Sequence, residues 1–505
     1  MPKLKQPSKL ESISIKLVAK YFQASFTHIE SLKCEGGNQE DVISKELLTD
    51  VESLLDGIPG PILEVVLIEV IHQLLEKITS RKTTKGLIVA LDALLRPSLK
   101  SVDLGKLFYG ARLSRKISQP CEVLLPKKLM LMKNLCELDL ISRCTDDILL
   151  TLARCCTSLR KLDISYSDLV TDVGLRFLCG VTDNKETENN DGPLTGCKEI
   201  EWLGLQKLWE TTVDGVIVVV ESMPKLKYLR YDQLGEIFLR KLNGNQSSCS
   251  LSKMPKICKE YGLTLFDQTY NVFTPSESLV RFIADCCPNL RTLQVYSPDK
   301  YLPSFGIWKS IENFALEIDG VCGQGLIGYF ECIGLNLVVI NISFDSLESR
   351  HLKALGKCCL NVKELTLMGS EINENEFLKN EKYFTKMEVF NMSIWCDEGI
   401  TGSLLLYFFS YSGELRELSL SASAGFLNDN FFQNQILAKC PCFKIEVISI
   451  FGNPRVPLTI KTARRLLRLC PNLKKISLSR WRVPEAAIKD LQEEMKSSNY
   501  DILII

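Results

Sequence analysis

The chain has 505 residues, 61 Lys plus Arg against 61 Asp plus Glu, a formal net charge of zero, and 20 cysteines. Balanced charge excludes a global field that would draw the protein to nucleic acid or lipid headgroups, so neither is expected as a partner. A chain of this length would ordinarily divide into three or four globular domains, but internal repetition removes that expectation.

The first residues, from Met1 to Leu10, carry lysines and no apolar core, so no secretory signal is expected. No apolar run reaches membrane-spanning length, because Glu64 and Glu69 interrupt the best stretch, Ile62–Leu75. The expected location is therefore a reducing compartment, cytoplasm or nucleus, with cysteine serving as a small buried hydrophobe. No C-x-x-C occurs, and the three histidines, His28, His72 and His351, lie far apart. Zinc sites need clustered Cys and His, so no metal and no cofactor is expected.

Residues 1–98 read as an all-helical cap. Apolar positions 10, 13, 17, 18 and 21 form one helical stripe, and Leu47, Leu48, Val51, Leu54 and Leu55 form another. Gly57–Pro61 breaks the chain before an apolar helix over Ile62–Ile78, and Leu87–Leu95 leads to Pro97. Leu10, Ser14 and Val18 are spaced in a way similar to an elongin-binding box. Ile58, Pro59, Ile62 and Val66 are similar to a cullin-2 box, or alternatively to the opening of an F-box. Such boxes imply a helix-in-groove contact with an elongin or Skp-type adaptor and a cullin. The plainer reading of the same residues is a helical cap with a proline turn.

From residue 99 to 505 one unit recurs. Leu159-Arg-Lys-Leu-Asp-Ile164 alternates inward apolar with outward polar residues, and Thr171–Cys179 returns as a short helix. One unit cannot bury its own apolar side, so copies must stack. The same frame starts at Leu99, Leu135, Leu159, Ile200, Leu226, Leu290, Ile311, Leu337, Val362, Met387, Leu415, Ile445 and Leu473, more weakly at Leu263, and a last strand lies in Tyr500–Ile505. Spacings cluster near 24 to 30 residues, which predicts an α/β leucine-rich repeat horseshoe of about fourteen units, with a parallel concave sheet and outer helices. Polar stretches near 183–196 and 243–252 read as insertions.

Cys286-Cys-Pro-Asn-Leu290, Cys470-Pro-Asn-Leu473 and Cys155-Cys156 before Leu159 resemble the cysteine-containing subclass of leucine-rich repeats. That subclass occurs in F-box substrate receptors and in elongin/cullin-2 receptors of ubiquitin ligases. The resemblance implies a substrate-recognition subunit of a cullin-RING ligase that binds a protein substrate. A leucine-rich repeat scaffold or regulatory protein without a ligase is the competing expectation.

No phosphate loop, H-E-x-x-H or G-x-S-x-G is present, so an enzyme is not expected. Strand alternation turns the third and fifth positions of L-x-x-L-x-L to the concave face. There Trp202, Tyr228, Arg230, Gln294 and Tyr296 are the candidate substrate-binding residues, since aromatics and arginine carry most interface energy. Packing of Trp202 or Tyr228 under an insertion is the structural alternative. Arg480-Trp481-Arg482 is a second candidate, or else the cap of the last repeat.

Overall fold

The computed structural model describes residues 10–35, 48–76, 83–105, 115–181, 194–246, 260–373, 383–396, 401–422, 427–436, 444–451, 458–498, 500 and 502–505. The chain divides into two compact units, Ser8–Leu263 and Thr264–Ile505.

The first unit opens with helices Leu10–Glu35, 48–56, Gly60–Glu76 and Thr83–Leu94. Their shared interior is Ala19, Phe22, Phe26, Val51, Leu55, Leu63, Val66, Leu67 and Val70, all buried. A parallel sheet follows, made of β1 (Ser101–Asp103), β2 (Glu137–Asp139), β3 (Lys161–Asp163), β4 (Trp202–Gly204) and β5 (Tyr228–Arg230), in chain order. The open edge of β1 needs partners for its N–H groups. Glu64, one of the two acids that interrupt the apolar run, supplies them. Its Oε1 accepts from the backbone N of Lys100 at 2.8 Å and of Ser101 at 3.0 Å.

The second unit holds ten parallel strands, again in chain order: β6 (Leu265–Gln268), β7 (Thr292–Tyr296), β8 (Asn313–Glu317), β9 (Val339–Glu348), β10 (Glu364–Asn373), β11 (Val389–Ile394), β12 (Glu417–Ala422), β13 (Val447–Phe451), β14 (Lys475–Ser477) and β15 (Leu503–Ile504). From β1 to β14 each strand begins two residues after its frame residue, as with Leu159 and β3. The chain is thus a leucine-rich-repeat-like succession of parallel strands and return helices.

The expected horseshoe called for one continuous sheet, and here the structure differs: five strands and ten strands are hydrogen-bonded separately. The break falls in the 37-residue interval between Leu226 and Leu263, part of which helix Leu234–Gln246 occupies. Interval length alone does not account for the break, since Leu159 and Ile200 are 41 residues apart and β3 and β4 still pair. Asn243–Gln246, expected to open an insertion, instead finishes this helix. The rest of that stretch, and residues 183–193 of the other insertion, lie outside the described residues.

Neighbouring repeats are joined at their helix N-termini. Helix Asp146–Cys155 is capped by Thr145, and its Asp146 carboxylate accepts from Thr171 N at 2.9 Å and Thr171 Oγ1 at 2.6 Å in the next repeat. Asp172 does the same for Thr212, at 2.8 and 2.7 Å, and Asp429 for Thr459, at 2.9 and 2.6 Å. Asp299 reaches Gly325 N at 2.7 Å and Leu326 N at 2.9 Å. Each carboxylate thus meets N–H groups or a capping hydroxyl that the adjoining helix leaves unpaired, where the helix dipole also favours an anion. The carboxylate needs space. A Cβ on Gly174 would stand 2.1 Å from Asp146 Oδ1, and one on Gly215 would stand 2.1 Å from Asp172 Oδ1.

Cysteine serves the other helix end. Cys156, Cys179, Cys287, Cys359 and Cys470 are C-caps whose N–H returns to the carbonyl four residues back. The Cys156 thiol faces Leu129 O and Met132 O, and that of Cys197 faces Leu152 O and Cys156 O, at 3.5–3.6 Å. Fourteen cysteines fall among the described residues, and none of them is in a disulfide. Burial pushes the thiols up, Cys179 to about 11 and Cys156 to about 12.

Two measurements check this joinery. Gly174→Ala is expected to cost about 1–3 kcal/mol, and adding Asp146→Ala should cost less than the sum of the two changes by chemical denaturation. Strict additivity would dissociate the glycine from the aspartate. Under native conditions Cys332 and Cys396, both exposed, should take up iodoacetamide, while Cys156 and Cys197 label only after denaturation.

Candidate protein-binding face

In the first sheet the central residue of every strand, Val102, Leu138, Leu162, Leu203 and Leu229, is buried, which turns the flanking residues to the opposite face. Register then orders them into two rows. Ser101, Glu137, Lys161, Trp202 and Tyr228 stand side by side, and so do Asp103, Asp139, Asp163, Gly204 and Arg230.

Trp202 and Tyr228 are direct neighbours on paired strands, and Lys161 Nζ lies 5.5 Å from the centre of the Trp202 ring. Trp202 is half-buried, Tyr228 is 40% exposed, and Lys161 and Arg230 are exposed. Three candidates of the sequence analysis therefore gather on one surface, where a cation already stacks on indole. Gly204 leaves room beside them for a carboxylate, since a Cβ there would be 2.4 Å from Asp163 Oδ1.

The second row is an acidic strip. Each aspartate holds a backbone N–H two residues on: Asp103 with Gly105, Asp139 with Ile141 and Asp163 with Ser165, at 3.0–3.1 Å. Burial pushes the Asp139 carboxyl up to about 6. The Ile141 hydrogen bond opposes this, Asp163 and Asp103 on either side add repulsion, and Lys161 draws it back slightly.

The loops that follow β2, β3 and β4 each contain a non-glycine residue in the left-handed region, at Ser142, Tyr166 and Lys207. Lys207 Nζ lies 5.3 Å from the Tyr166 ring centre, and Trp209 in the same loop is 70% exposed. Sequence reasoning missed Trp209. It lies four residues past the last frame leucine, Leu205, at a site where packing asks for no aromatic.

Gln294 and Tyr296 belong to β7 in the second unit and are half-buried there. The Tyr296 hydroxyl donates to Asp319, a bond that holds its phenol above the usual range. On this sheet Gln294, Ala315, Asn341, Thr366, Asn391, Ser419, Ser449 and Ser477 share one register row. The row is uncharged from β7 to β14, interrupted by Ala315, and continues on β6 with Asp267; within it Asn391 Nδ2 donates to Thr366 Oγ1 at 3.3 Å. Trp481 is not available for binding. It is buried, and its Nε1 donates to Ile450 O at 2.6 Å, which makes it part of the last repeat's core.

The box residues of the cap separate. Ile62 is 38% exposed, Pro59 is exposed, and Ile58 and Val18 are half-buried, whereas Val66 is fully buried in the cap interior. Leu10 and Ser14 fall on helix Leu10–Glu35, but their side chains lie outside the described residues. Val65 and Ile68, exposed at 46% and 42%, share the outer face of helix Gly60–Glu76 with Ile62. Among the described residues no group of three or more His, Cys, Asp or Glu is placed to hold a metal ion, and no helix is long and apolar enough to cross a membrane.

No protein-family model and no curated protein matches the sequence. Among solved structures, a chain in the Rad7 and Elc1 complex of yeast is similar at 13% identity and a TM-score of 0.42, over 83% of this chain and 94% of that one. The plant peptide hormone receptor RGFR1, solved with RGF2, is similar at 13% identity and a TM-score of 0.30, over 70% of this chain and 52% of its own. A TDR receptor follows at 12% identity and 0.28, over 77% and 73%. At such scores the likeness carries no argument about what this chain binds.

Asp139 supplies a prediction with a definite sign. A carboxyl whose folded pKa is raised contributes stability below its unfolded value, near 4, and loses that contribution as pH rises through about 6. Asp139→Asn should therefore raise Tm at pH 7.5 and leave it nearly unchanged at pH 4. An equal shift at both values would show that ionisation of the buried carboxyl is not the cause.

Proposed function

We propose that the protein is a non-enzymatic interaction protein that holds a partner protein on its sheet faces and serves as the substrate-recognition subunit of a cullin-RING ubiquitin ligase. One observation carries the binding half: Trp202 and Tyr228 lie in register on a sheet face, flanked by Lys161 and Arg230. Folding alone gains little from large rings left partly in water, whereas an interface gains much from them. In this reading the ligase chemistry belongs to a partner enzyme, and the repeats contribute proximity.

The adaptor half rests on the outer face of helix Gly60–Glu76. Ile62, Val65 and Ile68 recur every three residues and stay exposed, a pattern suited to an adaptor's apolar groove. The buried position of Val66 favours a second reading, a repeat scaffold whose cap only closes the sheet edge, because a box anchor already used as core cannot also enter a groove.

Affinity purification of the tagged full chain separates the two. Co-purification of elongin C or a Skp-type adaptor with a cullin is expected, and Ile62→Glu with Val65→Glu should abolish it while circular dichroism stays native. Trp202→Ala with Tyr228→Ala should keep the adaptor. Wild-type protein that brings down neither adaptor nor cullin would leave the scaffold reading standing.

A further inference from the structure

Helix Ile460–Leu469 is charged out of proportion to a chain of zero net charge. It carries Lys461, Arg464, Arg465 and Arg468 and no acid. These positions follow i, i+3, i+4, i+7, so all four cations share one face, and all four are exposed. Folding is served by the opposite face, where Thr462, Ala463, Leu466 and Leu467 are buried. Arg468 in the last turn suits the helix dipole, but Lys461 in the first turn opposes it, and like charges at i,i+4 each cost about 0.2–0.5 kcal/mol.

Beside this face runs a groove of about 470 Å³, bounded by helix Glu485–Ser497. Leu467, Leu491 and Met495 lie buried beneath it, and Arg464 and Arg468, one turn apart, line it with exposed guanidiniums. Glu494 is the sole acid among its lining residues. It meets Arg464 at 3.3 Å in an exposed pair, worth little and readily exchanged. Arg468 has no carboxylate partner among the described residues.

We propose that this groove takes an acidic peptide segment from a partner protein, its carboxylates against Arg464 and Arg468. Guanidiniums bind carboxylates through two parallel hydrogen bonds, a planar match that a backbone phosphate of nucleic acid does not need, so carboxylate is the expected ligand. The site is separate from the sheet faces and stands whether or not a ligase is attached.

The test is fluorescence anisotropy on the full chain, with a short labelled peptide of alternating glutamate and leucine as probe. Binding should weaken about tenfold or more for Arg464→Gln with Arg468→Gln, and also for Arg468→Glu alone, which breaks no ion pair among the described residues. It should fall with added salt and vanish when glutamine replaces glutamate in the probe. Arg465→Gln, outside the groove lining, should stay within about twofold of wild type if the groove and not a diffuse field is read. An equal loss at Arg465, unchanged affinity in both Arg468 variants, or tighter binding of single-stranded DNA than of the peptide would each overturn the proposal.

Discussion

Stacked repeats face one recurring difficulty: every return helix ends in unpaired N–H groups, and every unit has an apolar side that only a neighbour can cover. The aspartates at helix starts answer both needs together. Asp146, Asp172 and Asp429 each reach across to the backbone N–H and hydroxyl of the next repeat's capping threonine, so helix capping and repeat-to-repeat registration become one interaction. Once the helices are spaced in this way, the strands follow in register and the leucines between them close the core. Gly174 and Gly215 leave the carboxylate room in two of these joints, whereas in the third the equivalent Thr462 donates its hydroxyl to Asp429 at 2.7 Å.

With the helix side fixed by carboxylates and C-cap cysteines, the other face of each sheet is less constrained. Asp103, Asp139 and Asp163 there hold turn N–H groups, but residues such as Lys161, Tyr228 and Arg230 neither cap helices nor fill the core. The two units use that freedom differently. The first sheet sets an aspartate strip beside indole, phenol and cationic side chains, all within five strands. The second sheet carries mostly amides and hydroxyls from Gln294 to Ser477, broken by Ala315 and ending on β6 at Asp267. Two such surfaces would reward different partner segments, the first a mixed aromatic and charged one, the second an extended polar one whose backbone can pair with the row.

Legibility in the sequence followed the length scale of each interaction. Strand positions were legible because alternation is local: the frame from Leu99 to Leu473, and even the weak one at Leu263, marks where β1 to β14 form. The break into two sheets was less so, because the 37-residue interval after Leu226 shows only that something intervenes, not that hydrogen bonding stops. The aspartate contacts were missed although Thr-Asp recurs at 145 and 171, since the partner of each carboxylate lies 25 to 40 residues away. Within the candidate sites, Trp202, Tyr228 and Arg230 came together because register follows from the frame. Val66 could not be told from Val65 by spacing alone, as both lie on apolar stripes and only packing decides which one is core.

Zero net charge conceals local separation, and that separation bears on how the surfaces are used. Exposed pairs such as Lys227–Glu201 at 2.6 Å and Lys444–Glu414 cancel charge between adjacent repeats. Where the cancellation is left incomplete, at the aspartate strip of the first sheet and on helix Ile460–Leu469, the residual charges have opposite sign. At physiological salt, screening confines each field to roughly 8 Å. Neither region therefore steers the whole molecule, and each can select only a segment already brought close. Short-range selection by separate patches is what a chain without a global field can offer a protein partner.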